Sequence, residues 1–407
     1  MSAQSYMDSY AVLSVDIDTA DLQRLRELQL EKQVLRIPST AQPEEVVRDQ
    51  IGLHSTDYWT PYISLYSRIG PYDTSALFDK INNSERLFRV NAFRGTIHLV
   101  HEEMLAMISK AVSEIMYKRL PPPFRKYSAE KHEYWLQQVE DIMSSGPVST
   151  NKIREELPEL KSDLRWILYY GISKCEVIRG ASSHARSNRT DYQLLEQAAP
   201  AVVDQLTELT VDEAIAQLSQ EYVRLFGPVT ATDFAWWLPY SKTKSRKLFN
   251  DLEHIKRFEI HGEIYFVDEQ DLSRMTDENP DISNRVWFLP YEDHFAKAYA
   301  PEHRFYVNDN YQDLIYPTYN HENWPINHPS QQRKEVKMRT AGEKRPSIWA
   351  DGKIVGRWEI NDSRDTDLKD IAYNLFDKHL SQDIKQEISE QCAKLHEFIN
   401  YKLLPIS

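Results

Sequence analysis

Cysteine is almost missing, with two residues in 407, Cys175 and Cys392, far apart and in no CxxC spacing. That scarcity excludes a disulfide framework and a cysteine zinc site, and it fits a reducing cytoplasm. Long apolar runs are missing too, and none approaches the ~18 residues of a membrane helix. The start, Met1-Ser2-Ala3-Gln4-Ser5-Tyr6, has neither a basic n-region nor an apolar h-region. The expectation is a soluble cytoplasmic protein with no membrane partner. Positive charge is not in excess: 49 Lys+Arg against 62 Asp+Glu give a net charge of −13, with a pI near 5.5, which argues against non-selective coating of nucleic acid. The phosphate loop GxxxxGK[ST], the GxSxG elbow, HExxH and the dinucleotide GxGxxG are all absent. Ligand-type residues do occur in Tyr319-Asn320-His321-Glu322-Asn323 with His328, but their spacing fits no common metal pattern and reads as a polar loop. No metal and no cofactor are expected.

What is present builds cores. Hydrophobic residues make up 41%, with 9 Trp, 23 Tyr and 14 Phe, which excludes a disordered chain. At ~150 residues per domain the length allows about three domains. The basic residues cluster: within 330–358, Arg333, Lys334, Lys337, Arg339, Lys344, Arg345, Lys353 and Arg357 face only Glu335, Glu343 and Asp351. Between 241 and 257, Lys242, Lys244, Arg246, Lys247, Lys256 and Arg257 face only Asp251 and Glu253. Acidic residues concentrate in 1–60 and 261–313, a segregation that permits a basic groove on an acidic protein.

An internal echo organises the chain. Gly146-Pro147-Val148-Ser149-Thr150 recurs as Gly227-Pro228-Val229-Thr230-Ala231. In the second copy Thr230-x-x-Asp233 has the form of a capping box and opens a helix through Phe234, Trp236 and Trp237, stopped by Pro239. Ser241 caps a second helix, Lys242 to about Leu252, with Leu248 and Leu252 inward. Arg257 to Ile260 and Ile264 to Val267 then read as a hairpin around His261-Gly262-Glu263. Helix, turn, helix, hairpin is the order of a winged helix-turn-helix unit. The first copy repeats it, with a helix from Ser149 or Thr150 to about Leu157 and a second from Leu164 to Tyr170. Its hairpin starts at Cys175 and has a tip, Ser182 to Arg189, that carries His184, Arg186 and Arg189. A diverged unit nearer the start has helices Pro43 to Gln50 and Thr74 to Ile81, and a hairpin of Leu87 to Val90 with Thr96 to Val100.

Past 284 the texture turns to short strands, ending in a hairpin from Ser347 to Trp358 whose Asp351-Gly352 turn tolerates φ > 0. From 366 to 401, Leu368, Ile371, Leu375, Leu380, Ile384, Ile388, Leu395 and Phe398 recur at roughly helical spacing and predict one or two closing helices. The expected fold class is mainly α with β (α+β), with tandem winged helix-turn-helix units followed by a small β-rich or barrel-like domain. The expected boundaries are 1–143, 144–225, 226–283 and 284–407.

Ile51-Gly52-Leu53-His54-Ser55-Thr56-Asp57, followed by Arg94-Gly95-Thr96-Ile97-His98-Leu99-Val100, resembles the winged-helix DNA-binding family that includes the AlkZ and YcaQ DNA glycosylases. Phe226 to Thr230 with Asp233 to Trp237, Phe288-Leu289-Pro290-Tyr291-Glu292-Asp293, and Asp351 to Trp358 look like that family's landmarks in the same order. The resemblance implies tandem winged helices and a C-terminal barrel around a basic channel for duplex DNA. It also implies a Gln-x-Gln motif that positions water against C1′ of an alkylated nucleotide, with no metal, no Schiff base and no strand cleavage. His54 and Thr56 stand at the two glutamine positions, with polar Ser55 between them.

The expected function is therefore that of a monofunctional glycosylase acting on N7-alkylpurine or crosslinked lesions in double-stranded DNA, as a monomer. The alternatives are a DNA-binding or regulatory protein that has lost the water-positioning pair, and an interaction scaffold without a nucleic-acid role. In the catalytic reading His54 positions or deprotonates the water, Thr56 adds a hydrogen bond, and Asp57 orients or acts as base, provided the helix before Gly52 has ended. In the other reading His54 and Asp57 cap that helix end. Arg94 with Thr96 forms a phosphate clamp, or Arg94 pairs with a carboxylate. Arg186, Arg189, Lys244, Arg246, Lys247, Lys353 and Arg357 are the further candidates for DNA contact, against the reading that they line solvated faces. The 351–352 hairpin probes a minor groove or closes a sheet, and Trp236, Trp237, Trp287, Trp349 and Trp358 stack on bases or fill the core.

Overall fold

The computed structural model describes residues 28–35, 40–125, 127–160, 163–182, 187–260, 262–272, 286–304, 306–316, 318–320, 335–337, 344–362 and 368–404. Arg186 lies outside the described residues, as do His184, His261, His321, Glu322, Asn323, His328, Arg333, Lys334 and Arg339. The fold is α+β with antiparallel sheets.

The first part runs α1 (Pro43–Asp49), β1 (Leu53–His54), α2 (Trp59–Ile69), α3 (Thr74–Asn82), β2 (Leu87–Asn91), β3 (Ile97–His101), α4 (Glu102–Lys118) and α5 (Ala129–Met143). The first copy of the echo follows as α6 (Thr150–Glu156), α7 (Leu164–Ser173), β4 (Val177–Ser182) and β5 (Thr190–Leu194). Ser149 caps α6 by accepting the Lys152 N–H. Both hairpins belong to one five-stranded sheet, ordered β1-β3-β2-β4-β5, in which β2 meets β4 at Arg89 and Arg179.

Two helices, α8 (Pro200–Glu208) and α9 (Val211–Phe226), lead to the second copy. That copy consists of β6 (Val229–Thr230), α10 (Ala231–Trp237), α11 (Lys242–Asp251), β7 (Ile255–Ile260) and β8 (Glu263–Asp268). The expected capping box is present, with Thr230 and Asp233 satisfying each other's backbone N–H, and Ser241 caps α11. Ser245 and Phe249 are the buried positions of α11, and Leu248 and Leu252, the two expected to face inward, are half-buried and pack against the core.

The last part holds β9 (Val286–Leu289), α12 (His294–Lys297), β10 (Ser347–Ala350), β11 (Lys353–Asp362), β12 (Lys369–Leu375) and α13 (Gln382–Phe398). Its sheet is ordered β12-β11-β10-β9 and is buried on both faces of β9 and β10. Side-chain alternation divides these strands between two cores. Trp287, Leu289 and Trp349 pack with the helices of the echo units, whereas Val286, Phe288 and Ile348 pack with α2 residues Tyr62, Ile63 and Leu65 and α13 residues Ile384, Ile388 and Leu395. The N-terminal helices thus share a core with the C-terminal sheet.

One expectation is corrected here. Ile371 and Leu375 lie in strand β12 rather than in a closing helix, and a single helix, α13, follows. Ile371, Tyr373 and Leu375 recur at period two, and pairing with β11, where Ile371 faces Ile360, fixes the strand. Among the described residues no helix is long and apolar enough to cross a membrane.

Candidate active site

Helix α1 ends before the motif that follows it. Ile51 and Gly52 both take left-handed backbone, at φ 55° and 91°, and swing the chain from helix into β1. A side chain at residue 52 would meet the Leu99 carbonyl at 2.9 Å, so the approach of β1 to β3 needs glycine there. Pairing then sets Leu53 against Leu99 and His54 against His98, and the Ser55 N–H donates to the Ile97 carbonyl at 2.8 Å.

Beneath β1 lies a sealed polar network. The His54 ring is fully buried, its Nε2 3.0 Å from Glu292 Oε2, and Lys297 Nζ lies 2.8 Å from Glu292 Oε1. His98 packs edge-on to His54 with ring centres 5.5 Å apart. Burial holds both imidazoles below their ordinary range, so both are neutral at pH 7. Burial opposes ionisation of Glu292, yet the His54 hydrogen bond and the Lys297 charge bring its carboxyl down to about 2. Glu292 also has left-handed backbone, φ 51°, a strained state that the surrounding packing must hold in place.

The neighbouring Asp293 is fully buried and takes hydrogen bonds from Arg68 at 2.9 and 3.0 Å and from Ser64 Oγ at 2.6 Å. Burial works against its charge, but Arg68 holds its carboxyl far below the usual range. His294 Nε2 sits 2.7 Å from Gln50 Oε1, and burial with the Arg68 charge lowers this imidazole to about 3. Lys344 is buried as well. It donates to Ser347 Oγ at 2.6 Å, and burial brings its amine down to about 7. These groups come from the end of α1, from α2, β1 and β3, from the segment around α12 and, with Lys344 and Ser347, from the start of β10, so the network joins the N-terminal helices to the C-terminal sheet.

The continuation of β1 faces outward. Thr56 is exposed, and its Oγ1 accepts the Ile97 N–H at 3.1 Å. Asp57 is half-buried. Its Oδ1 accepts the Trp59 N–H at 3.1 Å and lies 3.4 Å from Thr60 Oγ1, so it supports the start of α2 rather than the end of α1. Among the described residues no hydrogen bond reaches Asp57 Oδ2. Burial, opposed by the Trp59 and Thr60 hydrogen bonds, raises the Asp57 carboxyl above its ordinary value. The β4–β5 hairpin reaches this segment: Asn188 Oδ1 accepts the Tyr58 N–H at 2.9 Å, and the next residue, Arg189, is exposed.

Arg94 and Thr96 flank the turn between β2 and β3. Arg94 has left-handed backbone, φ 53°, and donates to the Trp236 carbonyl at 2.9 Å with its guanidinium 4.2 Å from the Trp236 ring centre, so its partner is not a carboxylate. Thr96 Oγ1 donates to the Phe93 carbonyl at 3.0 Å. Both residues line a small cavity together with Gln50, His98, Phe226, Trp237, His294 and Lys297, of ≈ 10 Å³, about the space one water centre occupies.

The other sequence-selected cations stand apart from β1. Lys244 and Lys247 are exposed and Arg246 half-buried on α11, while Lys353 is exposed and Arg357 half-buried on β11. The Asp351-Gly352 turn has φ 48° and 75°. Trp237, Trp287, Trp349 and Trp358 are buried, and Trp236 is half-buried. Among the described residues no group of three His, Cys, Asp or Glu is placed to hold a metal ion. Sequence reasoning missed Gln50, Arg68, His98, Glu292, His294 and Lys297 as parts of one site. The signal available was the polar run Glu292-Asp293-His294 directly after a buried strand.

A family model described as DNA glycosylase AlkZ-like matches residues 47–398. No curated protein matches the chain. Among solved structures, the fold is similar to that of Streptomyces sahachiroi DNA glycosylase AlkZ, with a TM-score of 0.69 at 16% identity, over 92% of this chain and 95% of that one.

Proposed function

Because the chain belongs to the AlkZ-like DNA glycosylase family, whose model spans most of it, we propose that it is a monofunctional glycosylase that hydrolyses the N-glycosidic bond of N7-alkylpurine or crosslinked nucleotides in duplex DNA. One observation carries this reading: Asp57 presents a carboxylate with one oxygen held by the start of α2 and the other, among the described residues, without a protein donor, next to the exposed Thr56.

A cationic alkylpurine is a good leaving group, so the protein needs mainly to hold a water and to stabilise positive charge at the sugar. Thr56 Oγ1 uses a lone pair on Ile97, which leaves its own proton to donate to a water, and Asp57 Oδ2 accepts from that water. As the C1′–N9 bond breaks, its electron pair neutralises the purine. The water oxygen bonds to C1′ and its proton passes to Asp57. The Asp57 charge lies close enough to stabilise the oxocarbenium-like transition state. His54, sealed against Glu292, is a positioning residue that fixes β1. The neighbouring cavity admits a water and not a purine, so the alkylated base stays outside it, which suits a bulky lesion.

One observation favours a non-catalytic DNA binder instead. Neither nitrogen of the buried His54 reaches solvent, so this side chain does not itself replace a water-holding amide. The test is incubation of the purified protein with duplex DNA carrying N7-methylguanine and with a nitrogen-mustard crosslinked duplex, followed by alkaline cleavage of abasic sites. Product is expected from the wild type and a loss of roughly 10²–10⁴ in single-turnover rate from Asp57→Asn. His54→Ala should lose activity together with stability. No product, with duplex binding retained, establishes the binder.

A further inference from the structure

Helix α7 is the second helix of its helix-helix-hairpin unit, and its sequence, Leu164-Arg165-Trp166-Ile167-Leu168-Tyr169, turns Ile167 and Leu168 into the core while Arg165 stays exposed and Trp166 and Tyr169 half-exposed. The Arg165 guanidinium lies 4.9 Å from the Trp166 ring centre and 5.5 Å from that of Tyr169. Arg119, at the end of α4, is also exposed, and its guanidinium crosses the Gly95 turn to donate to the Arg94 carbonyl. A side chain at residue 95 would displace that guanidinium.

Among the described residues neither Arg119 nor Arg165 has a carboxylate within ion-pair distance. Helix α4, at whose end Arg119 stands, packs against α7. There partial burial lowers the Arg119 proton affinity, the Tyr169 phenol opposes this, and the Arg165 charge lowers it further. On a protein with a net charge of −13, two exposed arginines on packed helices, without acidic partners among the described residues, are unexpected. Lys244 and Lys247 of α11 likewise have no carboxylate within ion-pair distance among the described residues, but the carboxylates of Asp212 and Glu114 act on Tyr240 beside Lys244.

We infer that Arg119, Arg165, Trp166 and Tyr169 form a DNA-contacting face that holds the phosphodiester backbone of the duplex whose damaged nucleotide lies at Asp57. Planar guanidinium groups match phosphate oxygens, and the aromatic rings hold Arg165 ready to meet them. Arg94 connects this face to the cavity beside β1. The inference rests on the glycosylase reading for the position of the lesion, but not for the binding itself.

The test is fluorescence anisotropy with an undamaged duplex and with a duplex carrying a tetrahydrofuran abasic analogue, each across a salt series. Arg119→Gln/Arg165→Gln should lower the slope of log affinity against log salt by about 1.8, two phosphate contacts at ~0.9 each. Trp166→Ala should weaken binding with little change of slope. Lys244→Gln/Lys247→Gln is the comparison and should leave the slope within about 0.3, well inside one contact's worth. Thermal melting of every variant identifies any loss due to unfolding, and Arg119→Lys/Arg165→Lys, which keeps the charge, should restore most of the slope. An unchanged slope in a folded Arg119→Gln/Arg165→Gln protein overturns the inference. Base release by the wild type, measured in parallel, separates the two readings. A slope that depends on these arginines without base release leaves the face standing and removes the glycosylase, whereas release with an unchanged slope does the reverse.

Discussion

Charge is arranged in opposite ways on the two sides of the Arg94 turn. Behind it, Arg68 with Asp293 and Lys297 with Glu292 and His54 are buried and paired. In front, Arg119 and Arg165 are exposed and, among the described residues, without carboxylate partners. Buried pairs are costly to desolvate and more costly to break, so the inner set fixes one arrangement of β1, α2 and α12. Unpaired surface cations stabilise a folded chain very little, so the outer set is more readily explained by a partner than by folding. The inner region is a scaffold and the outer one a contact surface.

Breaking the inner set should have the largest effect. Asp293→Ala leaves the Arg68 guanidinium buried without its carboxylate and should cost about 3–5 kcal/mol in urea unfolding. A loss below ~1 kcal/mol would mean that the pair is not sealed from water. Next comes Gly52→Ala, which forces a side chain against the Leu99 carbonyl at φ 91° and should cost about 1–3 kcal/mol. It should slow base release more than it weakens duplex binding, because it shifts β1 and leaves α7 untouched.

Acidification tests the same region with no substitution. His54, His98 and His294 take up protons at a lower pH in the folded chain than the ordinary 6.5, His294 near 3. Below pH 6.5 the unfolded chain therefore binds more protons. Stability should fall as the pH drops, by up to ~1.4 kcal/mol per pH unit for each imidazole. Below the ordinary 4.5 of Glu292 and 3.8 of Asp293, their depressed carboxyls add to the loss. Melting temperatures that stay flat from pH 7 to 5 would show that these rings are not held neutral.

The smallest effect belongs to the other basic helix. Lys244→Ala/Lys247→Ala should change stability by less than ~0.5 kcal/mol and duplex affinity by no more than about twofold. A larger drop in affinity than that of the Arg119 and Arg165 pair would reverse the assignment of the DNA-contacting face.

Much of the local structure was legible along the chain. The capping box at Thr230, the Ser149 and Ser241 caps and the Asp351-Gly352 turn each depend on residues within a few positions of one another. The segment from 366 to 375 was misread because a few apolar residues at mixed spacing suit either period until a neighbouring strand selects one. At the proposed site, Asp57 and Thr56 are candidates that local sequence offers. Gln50, Arg68 and Lys297 could not, since each is an ordinary polar residue until burial pairs it with a group far along the chain.

By itself the sequence determined where helices start and stop, which turns need glycine, and that the chain alternates helix pairs with hairpins, because caps, turns and periodicity are short-range interactions. Only the tertiary structure decided that His54 is sealed against Glu292 while Thr56 is exposed and Asp57 half-buried, and that Arg119 and Arg165 stand on helices packed together. Those outcomes depend on which charges lose water and which keep it, a property of the packed molecule and not of any segment of the chain.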